Sequence, residues 1–183
     1  MNAAFGDLAA LAGTVFLLLL FTRAAWHKTL EFDRFAGYVA DYRVLPVALA
    51  RPAAALAAGA EALTVGALVV PGTSAAGAAA AAALLLGYGL AMGVNVARGR
   101  RHIDCGCGGA RQAVSWWLVM RNAALAGLGA VLAQRAPGAF STTETALAIA
   151  GGFLCWLVYE LAAYSLANWQ KLAPPTGATD LPH

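Results

Sequence analysis

Two of the chain's three cysteines, Cys105 and Cys107, stand either side of Gly106, with Gly108 and Gly109 directly after them. A bridge between residues two apart closes a very small ring, whereas ordinary disulfides hold their α-carbons about 5.5 Å apart with a near-perpendicular S–S torsion. Only a permissive backbone approaches that geometry, and glycine supplies one. Such a bridge would be readily reduced, which suits an exchanging disulfide better than a structural one. The neighbours favour the thiolate: Arg98, Arg100, Arg101 and His102 bring positive charge, and Asp104 opposes them. The chemistry expected here is thiol–disulfide exchange, with one cysteine attacking and the other resolving, so the chain is a candidate thiol–disulfide oxidoreductase. Cys155, in the middle of an apolar segment, is expected to be a packing residue.

Metal binding is the rival chemistry. His102, Cys105 and Cys107 offer an imidazole and two thiolates, with Asp104 as a further donor, a set that suits zinc or cuprous copper. A structural zinc site normally uses four well-spaced ligands, and the sequence holds no second cysteine pair, so no metal is assigned. Thiolate metal handling stands as one alternative, and a non-catalytic assembly factor that scaffolds other proteins as another.

The elements that must position this loop are hydrophobic. Of 183 residues, 61% are hydrophobic and only 11% charged, against roughly a quarter charged in an ordinary soluble domain; mean hydropathy is +0.67. Five stretches approach or exceed the ~18 apolar residues that read as a membrane-spanning helix: Leu8 to Trp26, Pro52 to Val70, Ala75 to Ala97, Val114 to Leu132 and Thr145 to Leu166. The fold expected is an all-α polytopic membrane bundle, a four-helix core plus one. Residues 1–170 form a single integral domain and 171–183 a polar C-terminal tail. The first stretch lacks a basic leader and a small-residue cleavage site, so it is read as a retained helix. Runs of alanine and glycine such as Ala75 to Ala83 predict close helix packing, because small residues let backbones approach in a bilayer. Between the first two spans, Leu30, Phe35, Tyr38, Val39 and Tyr42 fall near helical spacing, which predicts a short helix lying in the interface.

Five spans put the two long loops and the C-terminal tail on one face. That face collects Arg23, Lys28, Arg34, Arg43, Arg51, Arg98, Arg100, Arg101, Arg111 and Lys171, ten of the twelve basic residues; the other face has Arg135, and Arg121 lies inside a span. The positive-inside rule assigns the basic face, with Cys105 and Cys107, to the cytoplasm and the N-terminus to the outside, in a bacterial inner membrane. Trp26, Trp116, Trp117 and Trp169 mark the same face as an aromatic belt would. The bilayer is the expected surrounding partner, and no nucleic-acid partner is expected.

Glu61, Arg121 and Glu160 fall well inside apolar spans. At about 1.5 Å per residue, Arg121 lies about 10 Å from the basic face, Glu160 about 9 Å and Glu61 about 13 Å. Intramembrane charges are expensive, so they face the bundle interior and find partners. One reading is a polar pocket roofed by the cysteine loop, for a headgroup or a proton path; the other is an Arg121 to Glu160 ion pair that fixes helix register. Asn122 and Asn95 are expected to hydrogen-bond between helices.

With these residues in view, the sequence resembles the methylamine-utilisation MauE proteins and the wider DoxX-like redox-associated membrane proteins. The likeness rests on Arg23 with Trp26, His27 and Lys28; on Tyr42 to Pro46; on Glu61 followed by Gly66; on the loop from Asp104 to Gly109; and on Arg111, Gln112, Ser115 to Val119, Arg121 and Asn122. One departure is Gly108, where that pattern carries a bulky residue, usually Phe. The resemblance implies a multi-helix membrane protein of disulfide handling that works beside a thioredoxin-like partner. Its client would be a disulfide-bearing protein such as the small subunit of methylamine dehydrogenase. Such families are similar in outline to the quinone-linked disulfide oxidases, which makes a quinone the candidate cofactor, with Glu61 and Arg121 available to line its pocket.

Overall fold

A computed structural model describes residues 2–70, 72–106, 112–135 and 140–172. They form α1 (Asn2–Leu30), α2 (Phe32–Asp41), α3 (Val47–Val69), α4 (Ser74–Ala97), α5 (Trp116–Ala133) and α6 (Thr142–Leu172). Five of the six helices, all but α2, are long and apolar enough to cross a membrane, at the five places the sequence indicates. They are apolar on every face, and large side chains such as Leu56 (76% exposed) and Leu63 (77%) point outward. A helix that is hydrophobic all round needs an apolar solvent on its outer side, which a bilayer provides. The chain is thus an integral membrane protein.

Local signals set the helix ends. Ser115 caps α5, its hydroxyl accepting from the Leu118 N–H. Ser141 and Glu144 form a capping box at the start of α6: Glu144 Oε2 accepts from the Ser141 N–H at 2.8 Å and Ser141 Oγ from the Glu144 N–H at 3.3 Å. α2 is the interfacial helix that the spacing predicts. It is strongly amphipathic, buries Phe35 and Ala36 against Ala54 of α3, and turns Asp33, Arg34 and Asp41 to solvent. An Arg51 to Asp33 ion pair of 2.8 Å ties its outer edge to α3.

α1 runs through the middle, touching every other helix, and α4 packs along α5. Small residues make the tightest approaches. A β-carbon on Gly129 of α5 would sit 2.9 Å from the Ala78 carbonyl oxygen of α4, and one on Gly152 of α6 would sit 2.6 Å from that of Ala12 in α1. Gly152→Val must therefore push α6 off α1, and an overpacking cost of about 1–3 kcal/mol is expected. Gly66→Val, where a β-carbon meets nothing within 4 Å, should change little. Thermal unfolding of both variants in detergent checks the contrast.

The interior divides along the bundle axis. One part is a dry core of Phe16, Leu17, Phe21, Leu68, Ala78, Ala81, Ala82, Leu85, Ala126 and Leu132. A smaller cluster of Met92, Val96, Ile103, Val114 and Leu118 sits under the loop between α4 and α5. Tyr42, in the loop after α2, donates its hydroxyl to the Cys105 carbonyl, so the two long loops share a face. Arg135 and Asp7 lie 4.0 Å apart at the opposite face.

Candidate functional site

Ile103 and Val114 are the reason the cysteine loop has a fixed base. Both are buried in the cluster below it, and the Val114 N–H donates to the Ile103 carbonyl at 2.9 Å. The Cys105 N–H then donates to the Gln112 carbonyl at 2.9 Å, so Asp104 and Ala113 pair as an antiparallel bridge. The described residues on the two sides of the loop thus pair as the base of a hairpin. Cys107, Gly108, Gly109 and Arg111 lie outside the described residues.

Cys105 is half-buried, and the Tyr42 hydroxyl reaches its carbonyl at 3.1 Å. Gly106 has φ +67°, and a β-carbon there would sit 3.3 Å from the Tyr38 ring, so both backbone conformation and space favour glycine. The α2 helix thereby forms one wall of the loop.

The arginines are engaged by backbone. Arg100 donates to the Asp41 carbonyl at 2.9 Å, to the Tyr42 carbonyl at 3.3 Å and to Asn95 Oδ1 at 3.0 Å. Arg98 reaches the Arg43 carbonyl at 3.2 Å, and Arg43 itself has φ +46°. These side chains clamp the end of α2 to the end of α4, a task added to any effect of their charge on the thiols. Arg101 and His102 are exposed. Among the described residues, no three His, Cys, Asp or Glu side chains converge as a metal site.

Below the hairpin lies a cavity of about 120 Å³. Cys105, Gly106, Glu61, Arg121, Asn122 and Glu160 all line it, and with them Arg23, Lys28, Tyr88 and Gln112. Glu61 is 1% exposed and Lys28 4%; the two form an ion pair, and Tyr88 donates to the same Glu61 Oε1 at 2.8 Å. Lys28 Nζ also stands 4.9 Å from the Phe35 ring centre and 4.6 Å from that of Tyr88, so aromatic faces surround the ammonium group.

Glu160 takes Arg23 of α1 as its ion-pair partner. Arg121 lies over the Tyr159 ring at 5.9 Å and donates to Gln112 Oε1 at 3.5 Å, while Gln112 donates to the Ala163 carbonyl at 2.8 Å. Gln112 so ties the hairpin to α6. Asn122 and Asn95 donate within their own helices, to the carbonyls of Leu118 and Ala91, instead of between helices. A carbonyl four residues back is the nearest acceptor for a short amide on a helix, and that proximity wins.

Sequence reasoning placed Lys28 and Arg23 on the basic face and left Tyr88 and Gln112 without a role. A usable signal was present: a carboxylate inside a span demands a cation, and Lys28 and Arg23 are the basic residues at the end of the first span.

Comparisons with known proteins bear on this arrangement. Residues 6–135, which include α1 from Gly6 onward, α2 to α5, the hairpin and most of the cavity lining, match the family model "Methylamine utilisation protein MauE". The methylamine utilization protein MauE of Paracoccus denitrificans is 42% identical over 153 residues, covering 81% of this chain and 82% of the relative. That of Methylorubrum extorquens is 41% identical over 155 residues, covering 82% and 83%. That of Methylophilus methylotrophus is 36% identical over 159 residues, covering 84% and 83%. No solved structure matches. With the matched region spanning the cysteine hairpin and both ion pairs' α1 and α3 partners, this chain belongs to the MauE family of methylamine utilisation proteins.

Proposed function

We propose that this protein carries out thiol–disulfide exchange through Cys105 and Cys107 at the membrane surface, in the disulfide maturation of a client needed for methylamine utilisation. Its immediate partner is a thioredoxin-like protein, and its client a disulfide-bearing protein such as the small subunit of methylamine dehydrogenase. The observation that carries this reading is how Cys105 is held. Its N–H and carbonyl are tied to Gln112 and Tyr42, while its side chain stays partly accessible beside a left-handed glycine. Exchange needs a sulfur that is fixed in place yet open to in-line attack.

In the step, one thiolate attacks a partner disulfide, forming a mixed disulfide and releasing the partner's second thiolate. The other cysteine then attacks the mixed bond, closing the Cys105 to Cys107 bridge and leaving the partner as a dithiol. The reverse sequence delivers a disulfide to the partner. Cys105→Ser and Cys107→Ser should each abolish turnover, and each should change the mixed disulfide trapped with a thioredoxin-like partner. Undiminished trapping and maturation in both variants would sink the proposal.

The basic face carries the hairpin, and we assign it to the cytoplasm on the charge bias. A membrane-impermeant maleimide added to intact cells should then leave the hairpin cysteines unlabelled until the membrane is permeabilised. Labelling in intact cells would reverse the orientation.

A further inference from the structure

Protein-to-protein exchange makes no use of the cavity below Cys105, nor of the way α6 is seated. Among the described residues, α6 packs against α1 and against no other helix, so α5 and α6 stand apart. Two side-chain contacts cross that gap: Arg121 reaches over the Tyr159 ring at 5.9 Å, and Gln112 donates to the Ala163 carbonyl at 2.8 Å. Arg121, Asn122 and Leu125 from one side and Tyr159, Glu160 and Ala163 from the other all line the cavity. Tyr164, a further lining residue, is 68% exposed on the flank of α6. The gap is therefore a side portal, and in a bilayer the molecules that stand before it are lipids.

The lining selects among lipids. Glu61 Oε1 is shared by Lys28 and Tyr88, whereas Oε2 is buried and accepts nothing among the described residues. Buried carboxylate oxygens ordinarily find a donor, so Oε2 calls for one that a ligand brings in. Three cationic side chains, Arg23, Lys28 and Arg121, line the cavity with two carboxylates, Glu61 and Glu160. A headgroup with one negative charge balances that set, whereas an ammonium headgroup on Glu61 would stand beside the Lys28 ammonium and be repelled. The volume of about 120 Å³ is close to the ~150 Å³ cavity that holds one benzene ring, and a glycerol group is of that size.

We propose that the cavity is a binding site for one anionic membrane lipid with a hydroxylated headgroup, a glycerol phosphodiester of the phosphatidylglycerol kind. A headgroup hydroxyl donates to Glu61 Oε2, the phosphate lies toward Arg121 at the portal, and the acyl chains stay outside in the bilayer. A choline headgroup has no hydrogen to donate to a carboxylate, which only accepts. Basic pockets between membrane helices are a general mode of headgroup recognition; the buried acceptor is what separates this site from simple attraction of anionic lipid to the basic face. Cys105 and Gly106 line the same cavity, so the bound headgroup lies under the hairpin. The site does not rest on the exchange reading.

The test titrates full-length protein in detergent with phospholipids of matched acyl chains, counts bound lipid by native mass spectrometry and follows thermal unfolding in parallel. One tightly held phosphatidylglycerol per chain is expected. Phosphatidylmethanol keeps the phosphate charge and lacks the hydroxyl, so it should bind on the order of tenfold more weakly, the scale of one charge-assisted hydrogen bond. Glu61→Gln should bring these two lipids level. Ala163→Phe fills the cavity from α6 and leaves both ion pairs in place, and it should remove the tight site. The parent protein's own discrimination between the two lipids decides the matter even where a variant unfolds. Water-soluble glycerophosphoglycerol should give no thermal shift at the same concentration; a shift equal to that of the lipid would overturn the membrane as its source. Equal retention of both lipids by the parent, or a preference unchanged in a folded Glu61→Gln variant, overturns the proposal.

Discussion

Lys28→Met or Glu61→Leu, made singly, is expected to cost the bundle about 3–5 kcal/mol, because each leaves the other charge buried without its counter-ion. The pair is almost wholly inaccessible, with side chains 4% and 1% exposed, so neither group can turn to water when its partner is gone. Glu61→Leu also removes the carboxylate to which Tyr88 donates and, among the described residues, leaves the Lys28 ammonium facing the Phe35 and Tyr88 rings. The double variant Lys28→Met with Glu61→Leu removes both charges and keeps the volume, and it should recover most of the loss, since apolar replacement of a buried pair is often neutral. Equilibrium unfolding in mixed detergent, read as a double-mutant cycle, measures the coupling. A double variant as unstable as the sum of the singles would show that the two residues stabilise the fold separately.

Arg100→Ala should produce the second largest effect, a local loosening of roughly 2–4 kcal/mol from lost charge-assisted hydrogen bonds. The guanidinium joins the Asp41 and Tyr42 carbonyls at the end of α2 to Asn95 at the end of α4. Tyr42 in turn holds the Cys105 carbonyl, so the clamp reaches the hairpin through one residue. Faster amide exchange at residues 41–46 and 98–106 is expected, together with a changed alkylation rate at Cys105. Arg100→Lys should not restore protection, because an ammonium group cannot present the fork that meets three acceptors at once. If lysine does restore it, the positive charge alone is what matters, and the clamp is secondary.

These expectations separate what each kind of residue reveals. Gly106 was legible as a backbone requirement, and the structure gives it a positive φ and a tight Tyr38 neighbour. The five spans were legible because a bilayer imposes one length and one polarity on every crossing segment. The amphipathic α2 was legible because its apolar residues recur with helical period. Glu61 was recognisable as an anomaly, yet its partner was not, since a span constrains depth and leaves helix rotation open. Counting residues from the basic face suggested Arg121 for Glu160, whereas rotation of α1 brings Arg23 to it.

By itself, the sequence determined an all-helical membrane protein with a short amphipathic helix after the first span and with Cys105 and Cys107 in a basic loop between two spans. Those properties follow from composition, period and length, which are local along the chain. Only the tertiary structure decided that Lys28 and Tyr88 share Glu61, that Arg100 clamps backbone, and that a cavity opens beneath Cys105. Side-chain partners across helices depend on the rotation and tilt of each helix against its neighbours. Those angles are set by close packing at residues such as Gly129 and Gly152, where small side chains permit contact without encoding which partner will be met.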